Sequence, residues 1–304
     1  MNEFKLNCET SGARLDKFIS DSNIDLSRSA AVNLIENGAV LVNGLIVSKK
    51  YKLSQGDVVV VNVPDPMPYE AKAENIPLDI IYEDDDIIVV NKPKGMVVHP
   101  AAGHYSGTLV NALMYHCKDN LSGINGVSRP GIVHRIDMNT TGVLVTCKND
   151  FAHSRIAAQL AVHDITRKYN AIVWNPFSVE SGTVDAPLAR SRKDRKKVAI
   201  DQSGRRAVTH YRVLENFKQF AHVECQLETG RTHQIRVHMA SIMHPLLGDE
   251  LYGPKPQKMF EKLQGQTLHA KILGFQHPVT NQYIEVESPL PQYFVELLKN
   301  LGNS

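Results

Sequence analysis

The chain has 304 residues, of which 42% are hydrophobic and 22% are charged, and its 34 basic and 32 acidic residues give a formal net charge of +2. This composition supports a sizeable core and about two domains, and it excludes a mainly disordered, collagen-like or coiled-coil architecture. Because the chain is nearly neutral, any nucleic-acid surface must come from local clustering of cations. No apolar run approaches the ~18 residues of a membrane span, and the four cysteines form no C-x-x-C pair. Together with an N-terminus that lacks an apolar signal segment, these features predict a cytoplasmic protein.

The first 63 residues have the pattern of helices followed by strands. Arg14–Ser20 places apolar residues at helical spacing, and Ser27 is a candidate N-cap for a second helix. Two short apolar runs flank Asn43-Gly44, a dipeptide that is the strongest short-range signal for a β-hairpin. Val58–Val63 is an apolar run of strand length. These elements predict a small α/β unit.

A proline-rich stretch follows this unit. Four prolines fall between Pro64 and Pro77, counting both ends, and proline fixes φ and cannot donate to a strand ladder. We therefore predict an extended linker over residues 64–77, between a domain of residues 1–63 and a larger one of residues 78–304.

The larger domain mixes strands and helices. Strands are predicted at Ile80–Tyr82, Ile87–Asn91, Ile132–Val133, Gly142–Thr146, Tyr169–Val173, Ala207–Leu214, Ala221–Leu227 and Gln282–Val286. Helices are predicted at Thr108–His116, Ala152–His163, His233–Ile242 and Pro291–Asn300. Because these elements lack a regular β-α alternation, they predict an α+β fold with a mostly antiparallel or mixed sheet.

The most unusual stretch, residues 131–145, is a polar loop between two apolar runs. It holds His134, Arg135 and Asp137 together with two threonines and a glycine. Loops carried by rigid strands are frequent positions for catalytic groups. On residue types alone, however, an aspartate beside an arginine is more often a structural ion pair.

Two further segments concentrate cations. In Thr229–His238 a glycine turn precedes a predicted helix, so Arg231, Arg236 and nearby backbone N–H groups could receive an anion. His233 and His238 are five residues apart with no acid between them, a spacing that argues against a metal site. Residues 190–197 contain six cations and one anion, and this run fits either a solvated loop or a contact with phosphates. The chain has no P-loop, G-x-S-x-G or G-x-G-x-x-G motif, which argues against nucleotide-driven chemistry and serine hydrolysis.

Taken together, these segments resemble the RluA/RluD-type family of RNA pseudouridine synthases. His134-Arg135-Ile136-Asp137 followed by Thr140-Thr141-Gly142 is similar to the family signature H-R-L-D-x-x-T-S-G, with conservative departures at the isoleucine and the second threonine. The other segments that carry the resemblance are Tyr82–Asp86, Val90–Pro100, Lys168-Tyr169, Gly230–His238, His244-Pro245, Gly248-Asp249, Tyr252-Gly253, Leu268–Ala270 and His277-Pro278. The resemblance extends over about residues 78–298.

The small unit resembles the αL RNA-binding module that is shared with a ribosomal small-subunit protein. The segments that carry this resemblance are Arg14–Phe18, Ser27–Ser29 and Gly38–Gly44. Through residue 63 the chain has seven basic and seven acidic residues, so RNA binding requires its cations to share one face. The cations concerned are Arg14, Lys17, Arg28, Lys49, Lys50 and Lys52.

The resemblance implies a reaction in which the N1–C1′ bond of uridine breaks, the base turns, and the base is rejoined through C5. It implies no redox step, no cofactor and no metal. Asp137 would be the catalytic carboxylate, acting at C1′, at C6 or otherwise, and Arg236 would pair with it. Tyr169 would stack on the target base after that base leaves its helical stack, Arg135 would fill the vacated space, and His134 would orient the loop. The residues expected to contact RNA are Arg135, His134, Arg14, Lys17, Arg28, Arg190, Arg192, Lys193 and Arg231.

Several functions remain open at this point. The leading one is a pseudouridine synthase, by default a monomer, that acts on large-subunit ribosomal RNA, either free or in an assembling subunit. The catalytic motifs do not distinguish this substrate from transfer RNA. A non-catalytic RNA-binding or ribosome-assembly factor is disfavoured because Asp137, Tyr169 and Arg236 are all present. A glycoside hydrolase would need a second carboxylate near Asp137, where the motif suggests an arginine.

Overall fold

The computed structural model describes residues 2–302 except 23, 25, 27, 64–70, 102, 119, 127, 128, 195, 256–259, 261 and 262. The chain divides into two compact units, residues 1–68 and 69–304. None of the helices in the described ranges is both long and apolar enough to cross a membrane.

The small unit consists of two helices and a four-stranded antiparallel sheet. Its elements are β1 (Asn2–Asn7), α1 (Leu15–Asp21), α2 (Arg28–Glu36), β2 (Val40–Val42), β3 (Leu45–Ile46) and β4 (Val58–Val63), and the strand order is β1-β4-β2-β3. Leu15 and Ile19 of α1 pack with Val59 and Val61 of β4 in a core of its own. The predicted hairpin is confirmed between β2 and β3, and the predicted cap at position 27 lies outside the described residues. The first strand, β1, was not predicted, although Phe4 and Leu6 alternate with polar residues as in a half-buried strand.

The large unit contains a mixed sheet flanked by helices, which confirms the α+β class. Its elements are β5 (Ile80–Glu83), β6 (Ile87–Lys92), α3 (Leu109–Cys117), β7 (Thr141–Cys147), α4 (Asp150–Ala161), β8 (Thr166–Trp174), β9 (Ser181–Asp185), β10 (Leu188–Arg190), β11 (Val198–Ile200), β12 (Val208–Asn216), β13 (Phe220–Leu227), α5 (Gln234–Ser241), β14 (Leu268–Gln276), β15 (Tyr283–Glu287) and α6 (Gln292–Gly302). The order in the main sheet is β5-β6-β7-β14-β8-β13-β12-β9, with β15 beside β14. Strands β10 and β11 form a separate hairpin.

Strand β14 lies at the centre of the main sheet. It pairs in parallel with β7 and antiparallel with β8 and β15. Gly142 of β7 makes the close parallel approach possible, because a Cβ at this position would overlap the backbone of Ala270 in β14. Its φ of +108° also belongs to the region that favours glycine.

Most predicted elements of the large unit are confirmed to within a few residues. One predicted strand is wrong: Ile132 forms only an isolated bridge with Thr146, because the loop turns away after it. Within the predicted linker, the part that is described lies on the large unit. Ala71 is buried in its main core, and Asn111 Nδ2 donates to the carbonyl of Lys72 at 2.7 Å.

Candidate active site

The loop that carries Asp137 is held against the sheet by His134. Its Nε2 accepts the N–H of Val145, in β7, at 3.1 Å. Burial, assisted by the nearby charge of Arg167, lowers the pKa of His134 to about 3, so the ring is neutral and this nitrogen is free to accept. The structure therefore gives His134 the contacts of a residue that orients the loop.

Lys92, at the end of β6, holds the residue that follows Asp137. Its buried ammonium donates to the carbonyls of Pro93, Met96 and Met138 at 2.8, 2.8 and 2.9 Å. Burial lowers the pKa of Lys92 to about 7, while the negative charge of Asp137 acts in the opposite direction. Three carbonyl acceptors match the three protons of an ammonium group, so the contact fixes the backbone of the loop in place.

Arg236, in α5, bridges two carboxylates. Its Nη1 donates to Oδ2 of Asp137 at 2.8 Å, while Nε and Nη2 donate to the two oxygens of Asp249 at 2.7 and 2.9 Å. Burial opposes the charged guanidinium, but the two carboxylates outweigh it, so the pKa of Arg236 lies above its ordinary value. Asp249 also accepts the backbone N–H groups of Leu251 and Tyr252, which fixes the arginine from behind.

Only one of the two carboxylate oxygens of Asp137 accepts a hydrogen bond from the described residues. Arg236 binds Oδ2, and Oδ1 has no hydrogen-bond partner among the described residues. Asp137 lines a cavity of about 270 Å³, close to the ~300 Å³ lower end of small-ligand sites. Oδ1 is therefore an oxygen that a substrate can reach.

Tyr169, in β8, lines the same cavity as Asp137. Its side chain is 8% exposed, and its hydroxyl makes no hydrogen bond within the described part of the chain. Burial and the negative charge of Asp137 raise its pKa, so the phenol stays protonated at neutral pH. The cavity is also lined by His134, Arg135, Arg167, Arg231 and Arg236.

His233 lies between Asp137 and the β10–β11 hairpin. Tyr252 Oη accepts the N–H of Val198, in β11, and lies 2.8 Å from Nδ1 of His233. A phenol has one proton, so every group is satisfied when Tyr252 donates to Nδ1 and His233 carries its proton on Nε2, 3.8 Å from Asp137 Oδ2. Burial lowers the pKa of His233 and favours this neutral form. Its φ of 55° lies in the left-handed region, where strained residues cluster at functional sites.

A second concavity adjoins the first and is basic. Arg190, Arg205 and Arg231 line it, and Arg231 lines the first cavity as well. Arg192 and Lys193 lie in the exposed loop that joins β10 to β11, whereas position 195 of the predicted cationic run lies outside the described residues. Arg135, which lines the first cavity, is exposed, and its Nη1 donates to His99 Nε2 at 3.1 Å.

Two of the six predicted cations of the small unit hold one buried acid, Asp16, whereas Lys49 pairs with Glu36 at 2.7 Å. Arg14 and Arg28 each donate twice to the carboxylate of Asp16, and the backbone N–H of Lys17 donates to it as well. The hydrogen bonds of Arg14, with those of Arg28, lower the pKa of Asp16 to about 2 although burial opposes this. The side chains of Arg14 and Arg28 remain 40% and 55% exposed. The unit therefore presents two fixed guanidinium groups beside an exposed Lys17.

A group of possible metal ligands, Asp84, Asp86 and His277, is explained by hydrogen bonding. His277 Nδ1 accepts the N–H groups of Val279 and Thr280, so its proton is on Nε2, which donates to Asp84 at 2.8 Å. A nitrogen that carries a proton has no lone pair for a metal ion.

The chain matches two families of known proteins. Residues 86–241 match the family described as RNA pseudouridylate synthase, and residues 13–59 match the S4 domain. The chain is 53% identical over 293 residues to the uncharacterized RNA pseudouridine synthase YlyB of Bacillus subtilis, with 96% of this chain and 95% of that protein covered. It is 49% identical over 302 residues to ribosomal large subunit pseudouridine synthase D of Zymomonas mobilis, with 96% and 95% covered. Among solved structures, human RNA pseudouridylate synthase domain containing 4 covers 73% of this chain and 92% of its own, with a TM-score of 0.58 and 27% identity.

The chain belongs to the RNA pseudouridine synthase family. The synthase is therefore an isomerase of RNA uridine, and the match of its small unit to the S4 domain confirms the resemblance to an RNA-binding module. Its catalytic unit contains the cavity described above, since the matched residues 86–241 include Asp137, Tyr169 and Arg236.

Sequence reasoning had assigned no role to several residues that build the centre of the synthase. Asp249 and Tyr252 were noted only as parts of motifs, and Lys92 only as part of a longer block. His233 was considered only as a metal ligand. One feature of the sequence indicates a role for Asp249 and Tyr252: both follow closely after α5, the helix that carries Arg236. This spacing places a carboxylate and a phenol within reach of Arg236.

Proposed function

We propose that the synthase isomerises uridines of large-subunit ribosomal RNA, with Asp137 as the carboxylate that acts on the target nucleotide. The observation that supports the catalytic assignment is the carboxylate of Asp137, which lines the cavity. Arg236, fixed by Asp249, binds its Oδ2, and its Oδ1 has no hydrogen-bond partner among the described residues. The ribosomal substrate is supported by the names of relatives from Zymomonas mobilis and Haemophilus ducreyi, each a ribosomal large subunit pseudouridine synthase D.

The chemistry follows from the charges around Asp137. The hydrogen bond from Arg236 holds Oδ2 and orients the carboxylate, so that Oδ1 is the oxygen that attacks C1′ or C6. Tyr169 supplies an aromatic face for the base and a hydroxyl that is free for a proton transfer near C5.

The target base must leave its stack to reach this cavity, at a cost of a few kcal/mol. Arg135 lies at the cavity and is exposed, so its side chain is available to fill the space that the base vacates. Arg190 and Arg231 of the basic concavity, with Arg192 and Lys193 of the exposed loop between β10 and β11, then contact the phosphates.

In this proposal the domain of residues 1–63 binds RNA through Arg14, Lys17 and Arg28. Two guanidinium groups fixed by Asp16 suit phosphate contacts because little side-chain freedom is lost on binding. Residues 64–77 connect it to the catalytic domain, residues 78–304. The protein acts in the cytoplasm as a monomer, on free RNA or on an assembling large subunit.

The test is tritium release from RNA labelled at C5 of uridine, since isomerisation replaces the C5–H bond by a C–C bond. Wild type, Asp137→Asn and the matched control Asp85→Asn, an exposed acid outside the cavity, are compared on ribosomal and transfer RNA transcripts and on large-subunit precursor particles. We expect Asp137→Asn to lose turnover by more than about 10³-fold, the order seen when a catalytic nucleophile is removed, with unchanged thermal stability. Tritium release from transfer RNA alone would refute ribosomal RNA as the substrate. Full turnover by Asp137→Asn would refute Asp137 as the catalytic carboxylate.

A further inference from the structure

Arg167 is a buried cation in the wall of the cavity. It lies two residues before Tyr169 in β8, so both side chains project from the same face of the sheet. Arg167 is 7% exposed and lines the cavity together with Tyr169 and Arg231. Gly230 leaves room for its guanidinium, because a Cβ at this position would lie 2.6 Å from Nη1 of Arg167.

The guanidinium of Arg167 is left largely without partners. Among the described residues, one of its five N–H donors has an acceptor: Nη2 donates to the carbonyl of Glu228 at 2.8 Å. Its Nε is fully buried and has no acceptor. Nη1 lies beside Gly230, which lines the cavity, and it makes no hydrogen bond within the described residues either. A donor that the protein leaves unpaired at a cavity indicates that something else accepts from it.

No carboxylate within the described residues pairs with Arg167 either. The charged or polar groups that act on it electrostatically are Tyr169 and another cation, Arg231, and burial lowers its pKa from the ordinary arginine value. Burying an unpaired charge is costly, and the cost is recovered when an anion occupies the site. The part of the cavity wall formed by Arg167 and Arg231 is thus positive, and it is separate from the pair of Asp137 and Arg236.

A negative charge arises on the substrate during the reaction. When the C1′–N1 bond breaks before the new bond forms, its electron pair stays on N1 and is delocalised onto the O2 and O4 carbonyl oxygens of uracil. In the route in which Asp137 attacks C1′, a bond forms between its carboxylate and C1′ as the C1′–N1 bond breaks. C5 then bonds to C1′ as the bond to Asp137 breaks, and the proton of C5 leaves as N1 gains one. Atoms and electrons balance without any further reactant.

We propose that Arg167 is a further catalytic residue, which donates from its guanidinium to a carbonyl oxygen of the detached uracil and stabilises the negative charge of that base. The proposal rests on the proposed isomerisation at Asp137. It explains why a cation lies in the wall beside the stacking tyrosine without a counter-ion: the counter-ion is the base in the state that follows bond cleavage.

The test compares wild type, Arg167→Met and Arg167→Lys in single-turnover reactions on one large-subunit ribosomal RNA fragment. The fragment is transcribed with uridine, with 2-thiouridine or with 4-thiouridine, and rearranged nucleosides are quantified by chromatography after digestion. Sulfur accepts hydrogen bonds weakly and makes the detached base a more stable anion. On uridine RNA we expect Arg167→Met to lower the rate by about 10²–10³-fold, the effect of removing one donor to a developing oxyanion, with RNA affinity unchanged. On the RNA whose sulfur replaces the contacted oxygen, the ratio of wild-type to variant rate should shrink at least tenfold.

Arg231→Met is the comparison variant, because it removes a neighbouring cation that lines the mouth of both cavities. Arg231→Met should weaken RNA binding. The ratio of the wild-type rate to the Arg231→Met rate should be the same on all three RNAs. If Arg167→Met does not fold, Arg167→Lys carries the test, since it keeps a positive charge in the cavity wall but loses the forked donors of the guanidinium. An equal loss on all three RNAs, or a full rate for Arg167→Met, overturns the proposal. An inactive wild type, in contrast, overturns the proposed function itself.

Discussion

The pairing of Arg236 with Asp249 predicts that two destabilising substitutions rescue each other. Arg236→Met leaves the carboxylate of Asp249, whose side chain is 0% exposed, without its cation. Asp249→Leu leaves the guanidinium, whose side chain is 7% exposed, with only the partly exposed Asp137. Each single variant therefore strands a buried charge, whereas the double variant removes both charges together.

The expected magnitudes follow from the contacts. Breaking a buried ion pair by removing one partner costs about 3–5 kcal/mol, so Arg236→Met should lower the free energy of unfolding by that amount. Asp249→Leu also removes the acceptor of two backbone N–H groups, at about 1 kcal/mol each. The double variant retains this last cost, about 2 kcal/mol, and the smaller cost of leaving the partly exposed Asp137 without its arginine, and it should be more stable than either single variant.

Urea denaturation followed by circular dichroism measures the four free energies of unfolding, and tritium release measures activity in parallel. All three variants should be inactive, because each loses the arginine or the residue that orients it against Asp137. A double variant whose destabilisation equals the sum of the two single effects would refute the reasoning. Such additivity would mean that neither charge is stranded in the single variants.

Two further predictions concern stability. Burial lowers the pKa of His269 to about 4, against about 6.5 in an unfolded chain, so the unfolded state binds more protons. The free energy of unfolding therefore falls as the pH drops below about 6.5, by about 2 kcal/mol at pH 5. Urea denaturation at pH 7 and pH 5 should show this loss in wild type and less of it in His269→Gln, and equal losses would contradict the assignment. Gly142→Ala should destabilise the fold by clearly more than the about 1–3 kcal/mol of its positive φ, because its Cβ would also overlap Ala270. Gly126→Ala, with a φ of +72° and open space around its Cβ position, is the matched control, and equal effects of the two variants would refute the steric argument.

The elements that the sequence predicted well are those specified by local patterns. Asn43 and Gly44 both have positive φ, as the type I′ hairpin turn requires, so two residues decide that turn. The loop of His134 and Asp137 was recognisable because polar residues interrupt two apolar runs, and its pairing with Arg236 was reached through resemblance to a family.

The parts that escaped prediction depend on contacts between distant residues. Strand β14 contains His269, Lys271 and Gly274 within nine residues, so it shows no clear alternation, and its conformation is set by three neighbouring strands. Asp249 is indistinguishable in sequence from a surface acid, because its burial depends on the turn that follows α5. Arg167 could not be read as a site residue, because only the cavity shows that its donors lack acceptors.

The central position of β14 has a consequence for the order in which the chain is made. Asp137 leaves the ribosome about 130 residues before β14, a delay on the order of ten seconds at about 5–20 residues per second. During that interval β7 and β8 lack the strand that joins them, and their edges are open to non-native pairing. The N-terminal unit, in contrast, has all its strand pairings within residues 2–63 and can close while the rest is still being synthesised. A nascent chain therefore displays a folded RNA-binding module well before it has a cavity, and the catalytic centre is completed only after β14 has been made.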